Sequence, residues 1–190
     1  MIVYTSSVQG ILIVLIGMVV VVLIYYMAVY NGLISKRNSA RRAFSGIDVQ
    51  LKKRWDLIPR LVEVVKGYAA HEKKVFTRVI EARKVAMEAR DDGHLRMGSE
   101  KVIAMETPKI MALAENYPEL KADKQFLWLQ RNLTEIESQI SASRRAYNAS
   151  VLKFNNGIET FPSSIIASKH GFTTMDFFDI DLTERENVRI

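Results

Sequence analysis

The chain has 190 residues and a formal net charge of +6, yet residues 1–35 contain no charged side chain, so every charge falls on the remainder. Residues 36–190 suit one compact domain with a real core. Cysteine is absent, which excludes disulfide frameworks, thiolate nucleophiles, cysteine-based metal sites and a lipidated cysteine anchor. Residues 176–190 hold Asp176, Asp179, Asp181, Glu184 and Glu186 against Arg185 and Arg189, a net −3 that leaves +9 on residues 36–175. A basic body beside a membrane points to anionic lipid headgroups, each nearby Lys or Arg contributing about 1 kcal/mol. Nucleic acid is not expected as a partner, because no zinc-finger, RNP or KH pattern accompanies the charge.

The first element runs from Ile11 to Val29, ILIVLIGMVVVVLIYYMAV, through Leu15, Val19 and Leu23. At 1.5 Å per residue it is about 28 Å long, close to the roughly 30 Å hydrocarbon core of a bilayer. Tyr25, Tyr26 and Tyr30 lie near its end, where amphipathic rings favour the interface. A cleaved signal peptide would need a basic n-region and a small-residue cleavage site, and residues 1–10 carry no Lys or Arg. Lys36, Arg37, Arg41 and Arg42 follow the span closely. Because basic residues resist translocation, the expected topology has the N-terminus outside and the domain in the cytoplasm.

Past the membrane, Ala40, Phe44, Ile47, Leu51, Trp55, Ile58, Val62 and Val65 recur in steps of three and four, which predicts an amphipathic helix. Pro59 removes one backbone bond and is expected to kink it near Asp56–Ile58, with an end and turn over 67–71. A second helix is predicted over 71–90, carrying Val75, Val79, Ala82 and Ala86, followed by a polar loop over 91–99. Thr107-Pro108 resembles an N-cap with proline at the first helical position, so a shorter third helix is expected to start there and to end near Tyr117-Pro118. The last helix is the clearest: Phe126, Leu129, Leu133, Ile136, Ile140, Tyr147, Val151 and Phe154 recur in near-heptad steps, with Asn156-Gly157 and Phe161-Pro162 as terminators.

No run of alternating β-branched residues suggests a strand. The expected fold is all-α, an N-terminal transmembrane helix followed by an antiparallel bundle of three to four long helices. The segments are a short tail over 1–10, a span over 11–30, a bundle over 31–162 and an irregular C-terminal segment with an acidic end over 163–190. Ile165, Ile166, Phe172, Phe177 and Phe178 give that last segment side chains to pack.

The order of several short motifs resembles the LemA family. They are Tyr30-Asn31-Gly32-Leu33, Arg54-Trp55-Asp56-Leu57-Ile58-Pro59-Arg60-Leu61-Val62, Val65-Lys66-Gly67-Tyr68-Ala69-Ala70-His71-Glu72, Glu81-Ala82-Arg83, the stretch Ala114 to Ala122, Phe126-Leu127-Trp128-Leu129-Gln130, Arg144-Arg145-Ala146-Tyr147-Asn148, Phe161-Pro162 and Gly171-Phe172. The resemblance implies a single-pass bacterial inner-membrane protein with a cytoplasmic helical bundle, and it brings no established activity. One branch of LemA-like proteins belongs to the magnetosome membrane, so it also implies a role in a specialised membrane. Two departures are Glu137-Ser138-Gln139-Ile140, where the family often has Glu-Asn before Ile, and the 91–106 insert.

Residues suited to chemistry are sparse. His71-Glu72 lacks the second histidine of a zincin, since Val75 stands there, and His71, His94 and His170 are isolated. A di-iron bundle built on Glu81, Glu115 and Glu137 would need Glu-x-x-His pairs, and none exists. No phosphate loop or G-x-S-x-G motif occurs. No catalytic residue, metal or cofactor is therefore assigned. The candidate interaction surface is Arg54, Trp55, Pro59 and Arg60, where a kink would present an aromatic side chain among basic ones. The competing reading makes Trp55 a core residue and is favoured, because buried tryptophan is common in bundles. The functional expectation is a membrane-tethered scaffold whose bundle meets the lipid surface and a protein partner or copies of itself. An enzyme or regulator with an unrecognised site is the reading of a different class.

Overall fold

The structure, a computed structural model, describes residues 2–89 and 93–178. Its elements are α1 (Ile2–Lys66), α2 (Lys73–Glu88), α3 (Gly93–Ala112), a 3-10 turn (Leu113–Glu115), α4 (Pro118–Ala122), α5 (Lys124–Glu159) and α6 (Ser163–Lys169). No strand occurs among the described residues. The fold is all-α. The expected tail over 1–10 is helical from Ile2, so α1 is one helix of 65 residues, about 98 Å long. The acidic end from Asp179 lies outside the described residues.

Heptads explain why α1 and α5 form. Leu33, Ala40, Ile47, Arg54 and Leu61 recur every seven residues and all are buried, as are Leu51, Ile58 and Val65, each four residues after one of them. On α5 the sevenfold series is Phe126, Leu133, Ile140, Tyr147 and Phe154, also buried. The chain divides into two compact units, one within residues 1–45 and 143–190, the other within 46–142. The boundary falls inside α1 and α5 rather than in a linker.

In the first unit α1 and α5 run antiparallel. A Cβ on Gly157 would lie 3.0 Å from Lys36 Nζ and 3.2 Å from Leu33 Cδ2, and the Phe44 and Tyr147 rings pack edge to face at 5.5 Å. Gly157 therefore does not end the helix, as Asn156-Gly157 was expected to; it admits the side chains of α1 at close range, and α5 continues to Glu159. Leu33, Phe154, Ile158 and Ala167 form a small core against which Val29, Phe172 and Met175 rest.

The expected irregular segment contains helix α6 and, after it, an extended strap. Asn155 donates to the Met175 carbonyl at 2.9 Å and accepts from its N–H at 2.9 Å. Asn148 does the same to Phe178, at 3.1 and 2.8 Å. The spacing matches physically: seven helical residues rise about 10.5 Å, and three extended residues advance about 10 Å. Each side-chain amide thus satisfies a backbone N–H and C=O that would otherwise be bare.

In the second unit, α2 buries Phe76, Val79, Ala82 and Ala86. The sequence expectation fails for α3. The helix begins at Gly93, inside the expected loop, and Thr107 and Pro108 lie near its end rather than at its start. Pro108 is exposed, as is Ala104, whose carbonyl it leaves unserved. Water can satisfy that carbonyl, so the helix passes through the proline. Asp123 caps α5 by accepting the Phe126 N–H at 2.7 Å, and its other oxygen accepts from the Tyr68 hydroxyl at 3.2 Å. The neighbouring Asp123 charge, the largest influence there, holds the Tyr68 phenol above its ordinary value of 10.

Candidate functional site

Arg54 occupies a core heptad position and is 0% exposed, which demands compensating partners. Glu100 of α3, 2% exposed, pairs with its NH2 group. Glu137 of α5 accepts from NH1 with both oxygens, at 2.8 and 3.1 Å. The Trp55 indole N–H donates to Glu100 Oε1 at 2.7 Å. Pro59 has no N–H to offer the Trp55 carbonyl four residues earlier, and Arg83 Nε of α2 donates to that carbonyl at 2.6 Å. α1 therefore continues through Pro59 to Lys66 because another helix supplies the missing donor.

Two guanidinium groups and two carboxylates bring this network to formal neutrality. It ties α1, α2, α3 and α5 together at one level. A polar group at a single heptad position is a known way of fixing register, since any slip strands a charge in the core. Glu100 and Glu137 are both engaged as acceptors in this network. Among the described residues no three His, Asp or Glu side chains form a group that could hold a metal ion.

The expected interaction surface is corrected by this geometry. Arg54 and Trp55 are buried, with Pro59 half-buried and only Arg60 exposed. The four do not share one accessible face, because α1 turns the first two into the bundle. The exposed tryptophan is Trp128, at 48%, beside exposed Leu127. Glu137 faces Arg54 rather than Glu81 or Glu115. Sequence reasoning missed Glu100, which lies in the 91–106 insert just past the expected loop; the signal available was Arg54 itself, a charge in register with core positions.

A second cluster lies in the other unit, at the end of the apolar stretch. The Tyr26 hydroxyl and His170 Nε2 share a hydrogen bond of 2.5 Å. The Tyr30 ring lies 4.6 Å from the His170 ring and 6.1 Å from Phe172. The Arg37 guanidinium sits over Phe172 at 5.2 Å. Of the span residues, Leu15, Val19 and Leu23 are exposed, whereas Val29 is partly covered by the core around Leu33; the side chain of Ile11 lies outside the described ones. Protein contact thus begins at Tyr26 rather than after Val29. From Leu12 on, α1 holds an 18-residue apolar window long enough to cross a membrane, and no residue of that window is buried.

The LemA family model matches residues 43–190. The magnetosome protein MamQ of Magnetospirillum gryphiswaldense is 22% identical over 174 residues, covering 78% of this chain and 64% of MamQ. MamQ 2 of Paramagnetospirillum magneticum is 21% identical with the same coverage. This chain thus spans a little under two thirds of the length of the MamQ proteins. Protein LemA of Metamycoplasma hominis is 24% identical, covering 86% of this chain and 74% of that protein. The match begins beyond the apolar stretch and takes in the whole Arg54 network, and on it the chain belongs to the LemA family.

Proposed function

We propose that this protein is a membrane-anchored scaffold in which the N-terminal part of α1 crosses the bilayer and the bundle receives a protein partner or a second copy. The observation that carries this reading is the unbroken exposure of Leu12 to Tyr25 on a helix that continues into buried heptads. A Leu, Ile or Val left in water forgoes about 1.5–3 kcal/mol of burial, so the eleven of them between Leu12 and Tyr25 call for lipid. With Val29 partly covered by protein, the span reaches toward the N-terminus. Residues 8–25, an 18-residue stretch without charge, give about 27 Å.

The N-terminus lies outside and the bundle in the cytoplasm of the bacterial inner membrane, because Lys36, Arg37, Arg41 and Arg42 follow the span and none precedes it. The same residues meet anionic headgroups. The mechanism is tethering: anchoring raises the effective concentration of the bundle near other membrane proteins. Trp128 and Leu127 are two adjacent exposed apolar side chains of α5 that such a partner would meet. The similarity to two magnetosome proteins supports a second reading, a role in building or populating a specialised membrane.

Cross-linking of native membranes followed by mass spectrometry tests the proposal. The expected result is one recurrent stoichiometric partner, or an ordered homo-oligomer, lost on Trp128→Ala. A chain recovered only as uncross-linked monomer would overturn the scaffold reading.

A further inference from the structure

Helix α6 has two faces. Ile166 and Ala167 are buried, Ala167 within the core that holds Leu33 and Phe154. Phe161, just before it, is 75% exposed and Ile165 is 62% exposed, which places two large apolar side chains four residues apart in water. Isolated exposed apolar residues are ordinary; what distinguishes this pair is its height on α1. His170, next after α6, is hydrogen-bonded to Tyr26, and the preceding helix brings Gly157 beside Leu33 and Lys36. The turn and α6 therefore occupy the level between Tyr26 and Leu33, about 10 Å of α1. That is the end of the apolar run, where Tyr25, Tyr26 and Tyr30 form an aromatic belt. Basic side chains lie on its bundle side, with Lys169 on α6 and Lys36 on α1 nearest and Arg41 and Arg42 about 12–14 Å beyond Leu33, all exposed.

Resting on the anchoring proposed above, we infer that α6 is a second membrane contact: Phe161 and Ile165 insert into the headgroup region of the bilayer, and Lys169 with the basic residues of α1 engages anionic lipid. An apolar face of this kind settles about 5–10 Å into the interface. The Tyr26–His170 bond and the Phe172 packing hold α6 to α1, so the span and the short helix meet the bilayer together. The contact fixes how the bundle stands on the membrane, which a single helix free to rotate about its axis does not.

The absence of cysteine allows the test to be made on the full chain with single labels. Cysteines placed at Val19, Ala146 and Ile165 carry an environment-sensitive fluorophore, and the chain is reconstituted into vesicles of phosphatidylethanolamine and phosphatidylglycerol containing nitroxide lipids. The label at Val19 should be quenched most strongly by a nitroxide deep in the acyl chain. The label at Ile165 should lose most of its emission to a headgroup nitroxide, and the label at Ala146, about 16 Å along α5 from Gly157, should lose none. A label at Ser168 should be quenched likewise, and the quenching should fall away when Phe161→Glu and Ile165→Glu are added, since both positions are exposed and their change leaves the core intact. Val19 deep with Ile165 in water overturns the inference and leaves the anchor standing, as does Ser168 quenching indifferent to the glutamates. Val19 in water overturns the anchor itself.

Discussion

Two stretches of α5 hold their neighbours by opposite chemistry. Around Glu137 the contact is ionic and inward, with Arg54 wholly buried between two carboxylates. Around Asn148 and Asn155 it is neutral, each amide closing two hydrogen bonds with an extended strap. A buried charge cannot lose a partner without a large penalty, whereas an amide clamp gives up its bonds to water at modest cost. The ionic level is a register device that fails as a unit, and the strap is a set of latches able to open one at a time.

The difference can be broken in graded steps. Arg54→Ala leaves Glu100 buried without its counter-ion and should lower stability by about 3–5 kcal/mol, read from denaturant unfolding of the full chain in detergent. Arg54→Met with Glu100→Gln removes both charges and keeps an acceptor for the Trp55 indole, so most of that loss should return. Equal damage from the pair and the single change would show that the network stabilises as charge rather than setting register.

Arg83→Ala strips the Trp55 carbonyl of its donor and should cost about 1–3 kcal/mol. In a Pro59→Ala background residue 59 regains an N–H for that carbonyl, and the Arg83 change should cost clearly less. Additive losses in the double-mutant cycle would contradict the assignment.

Asn155→Ala removes two bonds of about 0.5–1.5 kcal/mol each. Its signature should be local, with faster amide exchange at Met175 while residues of the Arg54 network keep their protection. A global loss of protection would mean that the strap belongs to the core.

The smallest effect concerns Tyr147, which donates to the Asp176 carbonyl at 2.9 Å. Burial, and then the Asp176 charge, raise its phenol above the ordinary 10. The folded state therefore holds this proton more tightly than the unfolded chain does. The associated stability is present below pH 10 and is lost as pH rises past the folded value. Tyrosinate absorbance should show a late-titrating component that Tyr147→Phe diminishes; an unchanged titration would remove Tyr147 from that role.

Much of this fold was legible because periodicity reports burial directly. The series Phe126 to Phe154 marked α5, and Ala40 to Val65 marked the bundle part of α1. What was not legible depended on partners distant in sequence. The carbonyl that Pro59 orphans finds its donor in Arg83 of another helix, and Pro108 reads as a helix start until the structure places it near the end of α3, exposed where water can serve the carbonyl it orphans. Gly157 reads as a stop, although its missing Cβ makes room for Lys36 and Leu33. Trp55 was correctly favoured for the core, on the ground that buried tryptophan is common in bundles. Glu100 and the Asn148 and Asn155 clamps carry no local pattern, because a lone polar residue shows its purpose only when the chain returns to it.

The central claim is that the apolar stretch of α1 lies in lipid while the heptads behind it close on one another. Alkaline carbonate washing of membranes bearing the full chain, followed by flotation of the vesicles, tests it most directly. The account predicts that the protein floats with the lipid and that a chain lacking residues 12–25 stays in the washed-out fraction. Release of the full chain into the wash as a soluble species would contradict it.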